Sequence, residues 1–244
     1  MIRNNIHYLF WVSLLGVSLF NSFVYIGAHY TTAINMALIG TTSSPILVPA
    51  GGGRDVIVVG NKSGLVLGID PDASGAVLWQ RRIAKGSSSG GIFWGSASDG
   101  TSFYAASADH DERDPAASGG LFALDVLTGT VTWHAPGAGC AGRSPCKPSQ
   151  AAAVTLIDGA VLSGTMDGRL RAHATGDGRV IWEIDTARPF PTVNAVAANG
   201  GSMSNGGAVV AGGMVYVTSG YSHHGGILPG NLLLAFAPDT AGTK

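Results

Sequence analysis

The feature that most constrains the fold of this chain is a phrase that recurs three times and always ends in tryptophan. Its copies are VLGIDPDASGAVLW at Val66–Trp79, LFALDVLTGTVTW at Leu121–Trp133 and LRAHATGDGRVIW at Leu170–Trp182, and a fourth copy begins at Leu232. The tryptophans are 54 and 49 residues apart. A repeat of this length is typical of propeller blades, each of which is a four-stranded antiparallel sheet.

The phrase predicts a particular local structure. A short apolar strand ends in a turn of the form Asp-x-x-Thr-Gly, in which the aspartate accepts hydrogen bonds from backbone amides and the glycine takes a positive φ. A β-branched strand then returns, and its tryptophan covers the space between neighbouring sheets. We therefore predict a mainly β protein with about four blades. An ordinary β-sandwich is the alternative, but sandwiches show no such tryptophan period.

Composition excludes several classes of function. Only 12% of the 244 residues are charged and the net charge is −1, whereas nucleic-acid binding needs a basic excess or patch. We therefore expect no nucleic-acid partner. Apolar residues make up 45% of the chain, which excludes intrinsic disorder. The two cysteines are too few for a disulfide framework or a four-cysteine zinc site.

The first 53 residues differ from the rest because Arg3 is the only charged residue before Arg54. Tyr8–Ala28 is a run of 21 residues without a charge, which is long enough for one transmembrane helix. A cleaved signal peptide and a buried soluble helix are the alternatives; the run is long for a signal peptide, and no small-residue cleavage motif follows it. The next apolar segment, Ala33–Leu47, is too short to span a membrane and contains Pro45.

The N-terminal segment also resembles a known family. The stretch from Leu14 to Ile46, and YIGAHYTTAINMALI in particular, is similar to part of the EamA drug/metabolite transporters. One helix and a half cannot build a transport site, which needs a bundle of helices. This segment therefore cannot transport on its own. The change from uncharged sequence to repeats predicts two domains, a hydrophobic membrane segment over residues 1–46 and a repeat domain over residues 47–244.

The repeats resemble a second family. The pattern A-x-D-x-x-T-G-x-x-x-W, complete at Ala123–Trp133, is similar to the repeat of the PQQ-dependent propeller dehydrogenases. The strings VVGNKSG, FWGSASDG, IDTARPFPTVNAV, GGSMSNGG and GMVYVTSGY, within residues 43–237, resemble the polyvinyl alcohol dehydrogenases of that group. The third copy departs from the pattern, with Ala174 in place of the aspartate and Asp177 in place of the threonine.

This resemblance implies a fold and a chemistry. The fold is an eight-bladed propeller, of which residues 43–244 would be about half, so we expect a truncated reading frame that could also be chimeric. The chemistry is the oxidation of an alcohol by hydride transfer to pyrroloquinoline quinone (PQQ) with the help of calcium. We also expect a bacterial protein that is associated with the membrane through its N-terminal helix, with its propeller in the periplasm, and a cytochrome c as a candidate electron acceptor.

Five residues are candidates for binding the cofactor. Trp94 offers an aromatic face for stacking, and Arg143 offers a guanidinium for a cofactor carboxylate. Gly200, Gly201 and Ser202 would let the backbone approach a flat ligand closely. For each of them, ordinary blade packing or loop structure is the alternative.

The other candidates concern the metal, the acidic residues and the cysteines. Asn194 could offer an oxygen to calcium. The acidic loop that begins at Asp109 is expected to be a solvated surface turn, and the sequence identifies no general base. Cys140 and Cys146 are expected to form a disulfide if this part of the chain lies in the periplasm.

Two other functions remain open. A non-catalytic propeller in the bacterial envelope, used as a binding scaffold, would have the same repeats, because the repeats specify blades and not chemistry. The strings at residues 140–150 and 191–207 exceed what a blade requires and favour an enzyme. The other alternative is a transporter fragment fused to the repeats as a passenger, and the single spanning segment argues against it.

Overall fold

A computed structural model describes residues 43–87, 89–109, 119–137, 139–140, 142–221 and 227–238. They all belong to one compact unit, which spans residues 42–244. No helix among them is long and apolar enough to cross a membrane. The predicted transmembrane helix and the EamA-like resemblance fall almost entirely outside the described residues, so both stay predictions, as does the domain boundary after residue 46.

The described residues form antiparallel sheets of consecutive strands, as a propeller requires. The strands of the first sheet, blade 1, are β1 (Ile46–Pro49), β2 (Asp55–Gly60), β3 (Leu65–Asp70) and β4 (Ala76–Arg82). Those of blade 2 are β5 (Ala97–Ser98), β6 (Ser102–Ser107), β7 (Gly120–Asp125) and β8 (Val131–Pro136). Those of blade 3 are β9 (Val154–Ile157), β10 (Ala160–Gly164), β11 (Arg169–Ala174) and β12 (Val180–Asp185).

Blade 4 has three strands within the described part of the chain. A two-stranded hairpin of β13 (Pro189–Phe190) and β14 (Ala198–Asn199) precedes it. Its strands are β15 (Val209–Ala211), β16 (Met214–Ser219) and β17 (Leu232–Phe236). The predicted mainly β architecture of about four propeller blades is confirmed.

The turns of the repeat form as the sequence predicts. In the second copy, one oxygen of the Asp125 carboxylate accepts hydrogen bonds from the amides of Leu127 and Thr128, at 3.0 and 2.8 Å. Gly129 closes the turn with φ +66° and donates its N–H to the Asp125 carbonyl oxygen at 2.8 Å. The third copy keeps this closure without the aspartate, because its glycine donates to the Ala174 carbonyl oxygen at 2.9 Å.

Each repeat tryptophan faces a small residue on the neighbouring strand of its own blade. The cross-strand pairs are Gly68 with Trp79, Ala123 with Trp133, and Ala172 with Trp182. The strand register shifts directly after each small residue, as in a β-bulge. The small residue leaves room for the indole: a Cβ on Gly68 would meet the Trp79 ring.

The indole rings join each blade to the next. The indole N–H of Trp79 donates to the Val126 carbonyl oxygen of blade 2 at 2.9 Å, and that of Trp133 donates to the Thr175 carbonyl oxygen of blade 3 at 2.7 Å. The ring of Trp133 lies against Gly178, where an added Cβ would stand 2.5 Å from ring atom Cε3. The prediction that the tryptophans cover the space between sheets is confirmed.

Apolar clusters fill the three spaces between the blades. Val56 and Val58 of blade 1 pack with Phe103 and Leu124 of blade 2. The other two clusters join blade 2 to blade 3, around Val161, and blade 3 to blade 4. The first strands of blades 1, 2 and 3 contact one another in sequence, β1 with β5 and β5 with β9. These strands therefore line the inner side of the array, and the tryptophan-bearing strands lie at its outer side.

Candidate functional site

The segments that lead into the inner strands of blades 2, 3 and 4 converge. The indole N–H of Trp94, before β5, donates to the Ser204 carbonyl oxygen, before β15, at 2.7 Å. The amide of Val154, at the start of β9, donates to the Gly95 carbonyl oxygen at 3.0 Å, and the Ala153 amide donates to the Asn205 carbonyl oxygen at 3.0 Å. We call these segments, residues 94–95, 153–154 and 204–205, the inner-loop cluster.

Trp94 is the aromatic residue of this cluster and is 45% exposed. Its N–H is fixed by a hydrogen bond, so the indole has a defined orientation while part of its surface stays accessible. A half-exposed, fixed indole on the inner side of the blades suits the stacking role predicted from the sequence.

Arg143 has other partners than the predicted cofactor carboxylate. Its guanidinium donates to the Asp167 carbonyl oxygen at 2.7 Å and forms an ion pair with the Asp185 carboxylate. Burial raises the pKa of the Asp185 carboxyl, but the hydrogen bond from Arg143 lowers it, and the net result is a lowered pKa. Arg143 therefore ties the loop before β9 to blade 3, and only a quarter of its side chain is exposed.

A group does approach the backbone closely at Gly200 and Gly201, as predicted, but that group belongs to the protein itself and not to a ligand. A Cβ on Gly200 would meet the Thr186 carbonyl oxygen, and one on Gly201 would stand 2.6 Å from the Pro229 carbonyl oxygen. Ser202 is 1% exposed, and its hydroxyl donates to the Met166 carbonyl oxygen at 2.6 Å. These three residues pack protein segments together in this structure.

Asn194 lies in an exposed turn, where its side-chain oxygen accepts a hydrogen bond from the Val196 amide at 3.3 Å. Within the described residues, no group of three or more His, Cys, Asp or Glu side chains could hold a metal ion. The predicted calcium contact of Asn194 stays a prediction.

The cysteines and Asp109 stabilise loops. Cys140 and Cys146 form a disulfide with their Cα atoms 5.9 Å apart. The Asp109 carboxylate accepts hydrogen bonds from the amides of Lys85 and Gly91, at 2.6 and 2.5 Å. Asp109 is thus a loop anchor rather than the solvated turn residue expected from the sequence.

A buried ionic network in blade 3 escaped the sequence analysis. The guanidinium of Arg171 pairs with the carboxylates of Asp167 at 3.0 Å and Glu183 at 2.5 Å, and Arg171 and Asp167 are 4% and 2% exposed. The sequence feature that could have predicted it is the spacing of Arg169 and Arg171, two residues apart on one strand. This spacing puts both guanidinium groups on the same face of the sheet. The network fixes β11, β12 and the turn before β11 to one another.

A cavity of about 360 Å³ lies beside this network, between β8 and the hairpin of β11 and β12. Its lining includes Gln150, Arg171 and His173. Nδ1 of His173 lies 2.9 Å from the Gly178 carbonyl oxygen, and burial lowers the pKa of the ring. Nε2 of His173 and Oε1 of Gln150 are buried without a hydrogen-bond partner in the described part of the chain.

The described residues fit a bound PQQ only in part. Trp94 supplies a surface for a planar ring, but Arg143 is already paired with Asp185, and no acidic ligand set for calcium is present in the described residues. They do not by themselves make up a complete PQQ site.

Repeated four-stranded blades joined by docked tryptophans define the chain as a PQQ-type β-propeller segment. Comparison with protein families gives the same class: residues 86–236 match the PQQ-repeat family described as "Outer membrane protein assembly factor BamB". The chain belongs to this family.

Individual relatives are dehydrogenases. The chain is 41% identical over 212 residues to a polyvinylalcohol dehydrogenase of Pseudomonas sp and 37% identical over 211 residues to one of Sphingopyxis sp. (strain 113P3), with 81% of this chain and 32% of the relative covered in each case. The chain thus spans about a third of the length of these relatives. Quinohemoprotein alcohol dehydrogenase from Comamonas testosteroni shares the fold, with a TM-score of 0.50 at 17% identity over 82% of this chain and 34% of that protein.

Proposed function

We propose that the chain is a segment of a PQQ-dependent alcohol dehydrogenase of the polyvinyl alcohol type, and that its inner-loop cluster forms part of the cofactor-binding wall. The observation that carries the proposal is the 41% identity to the Pseudomonas polyvinylalcohol dehydrogenase across 81% of the chain. An identity of 41% is more than a shared repeat pattern alone requires, because repeats specify blades and not chemistry. An alcohol is the proposed substrate, and a cytochrome c is the proposed electron acceptor.

Within this proposal, Trp94 is the residue of the described chain that contacts the cofactor. Its indole is held by the hydrogen bond to Ser204, so stacking a planar ligand on it costs little conformational entropy. A bound calcium ion would need further oxygen ligands besides Asn194, since calcium takes about six to eight. Arg143 would have to exchange its pairing with Asp185 before it could bind a cofactor carboxylate.

A periplasmic location, with the N-terminal segment in the membrane, is part of the same proposal. The Cys140–Cys146 disulfide supports it, because disulfides persist in oxidising compartments such as the periplasm.

A titration with PQQ, with and without calcium, tests the proposal. We expect PQQ to quench tryptophan fluorescence and to raise the melting temperature of the full chain in detergent. Trp94→Ala should weaken binding about tenfold, the effect of about 1.4 kcal/mol of lost stacking. Leu127→Ala is the control, because Leu127 is exposed to a similar extent, 50%, but lies in the turn between β7 and β8, away from the inner-loop cluster.

The alternative is a non-catalytic envelope scaffold. One observation favours it: the family description names an assembly factor. The titration separates the two functions. Absence of PQQ binding to the wild-type chain would reject the dehydrogenase proposal and leave the scaffold. Equal binding by the wild-type chain and the Trp94→Ala variant would reject the role of Trp94 in the cofactor-binding wall.

A further inference from the structure

The cavity between blades 2 and 3 has a polar wall facing an apolar one. Leu170 and Ala172 of β11 pack toward blade 4. Because side chains alternate along a strand, Arg171 and His173 point the other way, toward blade 2. On the opposite side of the cavity, Ala135 of β8 packs toward blade 3. The cavity therefore lies inside the interface between two blades, at a place where small and polar residues meet.

The first interface of the array makes a different contact at the same position. There, Arg81, two residues after the repeat tryptophan, donates from its Nε to the Gly129 carbonyl oxygen of blade 2 at 3.0 Å. The equivalent carbonyl in blade 3 belongs to Gly178, but Ala135 stands where Arg81 would be and is too short to reach it. The ring of His173, from the same blade, lies 2.9 Å from this carbonyl oxygen instead.

The polar wall is likewise specific to this interface. When the second and third copies of the repeat are aligned, Phe122 and Leu124 stand at the positions of Arg171 and His173. Phe122 and Leu124 belong to the apolar cluster between blades 1 and 2. An interface between blades thus forms without a cation and an imidazole at these positions, so packing alone does not explain the polar wall of the cavity.

Two hydrogen-bond acceptors at this wall have no partner in the described part of the chain. Nδ1 of His173 bonds to a carbonyl oxygen, which only accepts, so Nδ1 carries the proton and Nε2 of the neutral ring is an acceptor. Burial lowers the pKa of His173 and so favours the neutral ring. The second acceptor is Oε1 of Gln150. His173 is 3% exposed and Gln150 is 2% exposed, so both acceptors are costly to leave without a donor.

Backbone hydrogen bonds fix Gln150 at the cavity. Its amide donates to the Ser107 carbonyl oxygen of blade 2 at 3.3 Å. The neighbouring residue, Ser149, accepts a hydrogen bond from the Met166 amide of blade 3 at 3.0 Å. Gln150 is therefore held between the two blades, and its side chain lines the cavity together with His173.

The charges at the cavity indicate a neutral ligand. A metal ion or an ammonium group is disfavoured because the guanidinium of Arg171 lines the cavity. An anion is disfavoured because Arg171 already pairs with Asp167 and Glu183 and because the two free groups are acceptors. A purely apolar molecule would leave both acceptors buried without a donor. A neutral molecule with several hydroxyl groups avoids all three costs, because each hydroxyl group can donate.

We propose that this cavity binds a small neutral polyol, whose hydroxyl groups donate to Nε2 of His173 and Oε1 of Gln150. Its volume of about 360 Å³ falls within the range of small-molecule sites, about 300–1,000 Å³, and far exceeds the roughly 30 Å³ that one water molecule occupies. The carbon chain of the polyol contacts Ala135. Asp177 and Arg179 also line the cavity and are exposed, so it opens to solvent. The proposal does not depend on PQQ binding.

Nuclear magnetic resonance of the full chain with xylitol as the probe tests the proposal. The detergent is a zwitterionic one without hydroxyl groups, and the buffer contains neither glycerol nor Tris, because such molecules would compete. We expect saturation transfer from the protein to xylitol, but none to 1,2-dimethoxyethane, whose oxygens accept hydrogen bonds and cannot donate them. In a sample with ¹⁵N-labelled histidine, xylitol should shift the Nε2 signal of His173, which is identified by its loss in His173→Gln.

Two variants change the cavity in different ways. Gln150→Met removes one acceptor at nearly constant size and should weaken xylitol binding at least about tenfold. Gln80→Met is the matched control, because Gln80 is exposed on β4 of blade 1, and it should leave binding unchanged. Ala135→Ile introduces the residue type that Ile184 supplies two residues after the tryptophan of blade 3, and it should abolish binding by filling the cavity. Near-ultraviolet circular dichroism checks that each variant folds, and either cavity variant suffices if the other does not.

Xylitol binding that shifts the His173 signal and is lost in the folded cavity variants, but not in Gln80→Met, supports the proposal. Absence of saturation transfer to xylitol overturns it and would mean that water alone satisfies the two acceptors. Equal transfer to 1,2-dimethoxyethane, binding that survives in the cavity variants, or binding without a shift of the His173 signal would also overturn it, because the ligand would then lie elsewhere or bind without these hydrogen bonds.

Discussion

Trp133 packs on Gly178, and this contact predicts how much stability is lost when either of two equivalent glycines is replaced by alanine. Gly75 and Gly178 occupy the same turn position with nearly equal φ, +78° and +74°, so replacement by alanine costs each about 1–2 kcal/mol of backbone strain. Only at Gly178 does the new methyl group also meet a ring, since its Cβ would stand 2.5 Å from Trp133. The ring would have to move by about 1 Å to restore an ordinary contact.

This movement sets the expected difference between the variants. Displacing the indole weakens its hydrogen bond to Thr175, worth about 0.5–1.5 kcal/mol, and overpacks the contact at a cost of about 1–3 kcal/mol. Gly178→Ala should therefore destabilise the protein by about 2–3 kcal/mol more than Gly75→Ala. For a domain of about 200 residues, this corresponds to a further loss of roughly 4–12 °C in melting temperature.

Thermal unfolding followed by tryptophan fluorescence measures both variants. A Trp133→Leu background provides the control: without the indole, Gly178→Ala should cost no more than Gly75→Ala, as in a double-mutant cycle. Equal losses for the two glycines in the wild-type background would refute the reasoning, because the ring contact would then contribute nothing.

Three further predictions concern the other contacts. Arg143→Gln should destabilise the protein most at neutral pH. The difference from wild type should shrink as the pH falls from about 4 through the lowered folded-state pKa of Asp185, because the carboxylate then takes up a proton and the ion pair is lost; melting temperatures from about pH 2 to 7 measure this. Replacing Cys140 and Cys146 by serine should cost about 2 kcal/mol or less, because the closed loop is short, and a loss well above that in the melting curves would contradict this. Burial, followed by a hydrogen bond to the Asp99 carboxylate, raises the pKa of Tyr104 to about 12. The free energy of unfolding should therefore decrease as the pH rises from about 10 to about 12. Tyr104→Phe should remove that decrease in an unfolding series at alkaline pH.

The sequence was sufficient for the blades because their determinants are local. An aspartate that binds the amides two and three residues later, and a glycine with positive φ, act within one turn and are visible in a single repeat. The tryptophan period then gave the number of sheets and their succession. Even the third copy, with Ala174 in place of aspartate, keeps its turn, because the backbone hydrogen bond that closes it does not need the side chain.

The candidate site was less predictable because its determinants are distant in sequence. A sequence shows that Arg143 is a cation, but not that Asp185 lies 42 residues away to pair with it. It likewise shows that Gly201 permits close approach, but not that the approaching group is the backbone at Pro229 instead of a ligand. Trp94 is the predicted stacking surface, and the fold leaves nearly half of it accessible.

The tryptophan contacts between blades have a consequence for how the chain folds during synthesis. The carbonyl group that binds the Trp79 indole belongs to Val126, 47 residues later, and the one that binds Trp133 belongs to Thr175, 42 residues later. A ribosome that adds about 5–20 residues per second needs several seconds to make each such partner. Each of these two indoles therefore stays uncovered until most of the next repeat has been synthesised. During synthesis, the last complete blade of the growing chain always lacks the blade that will pack on it.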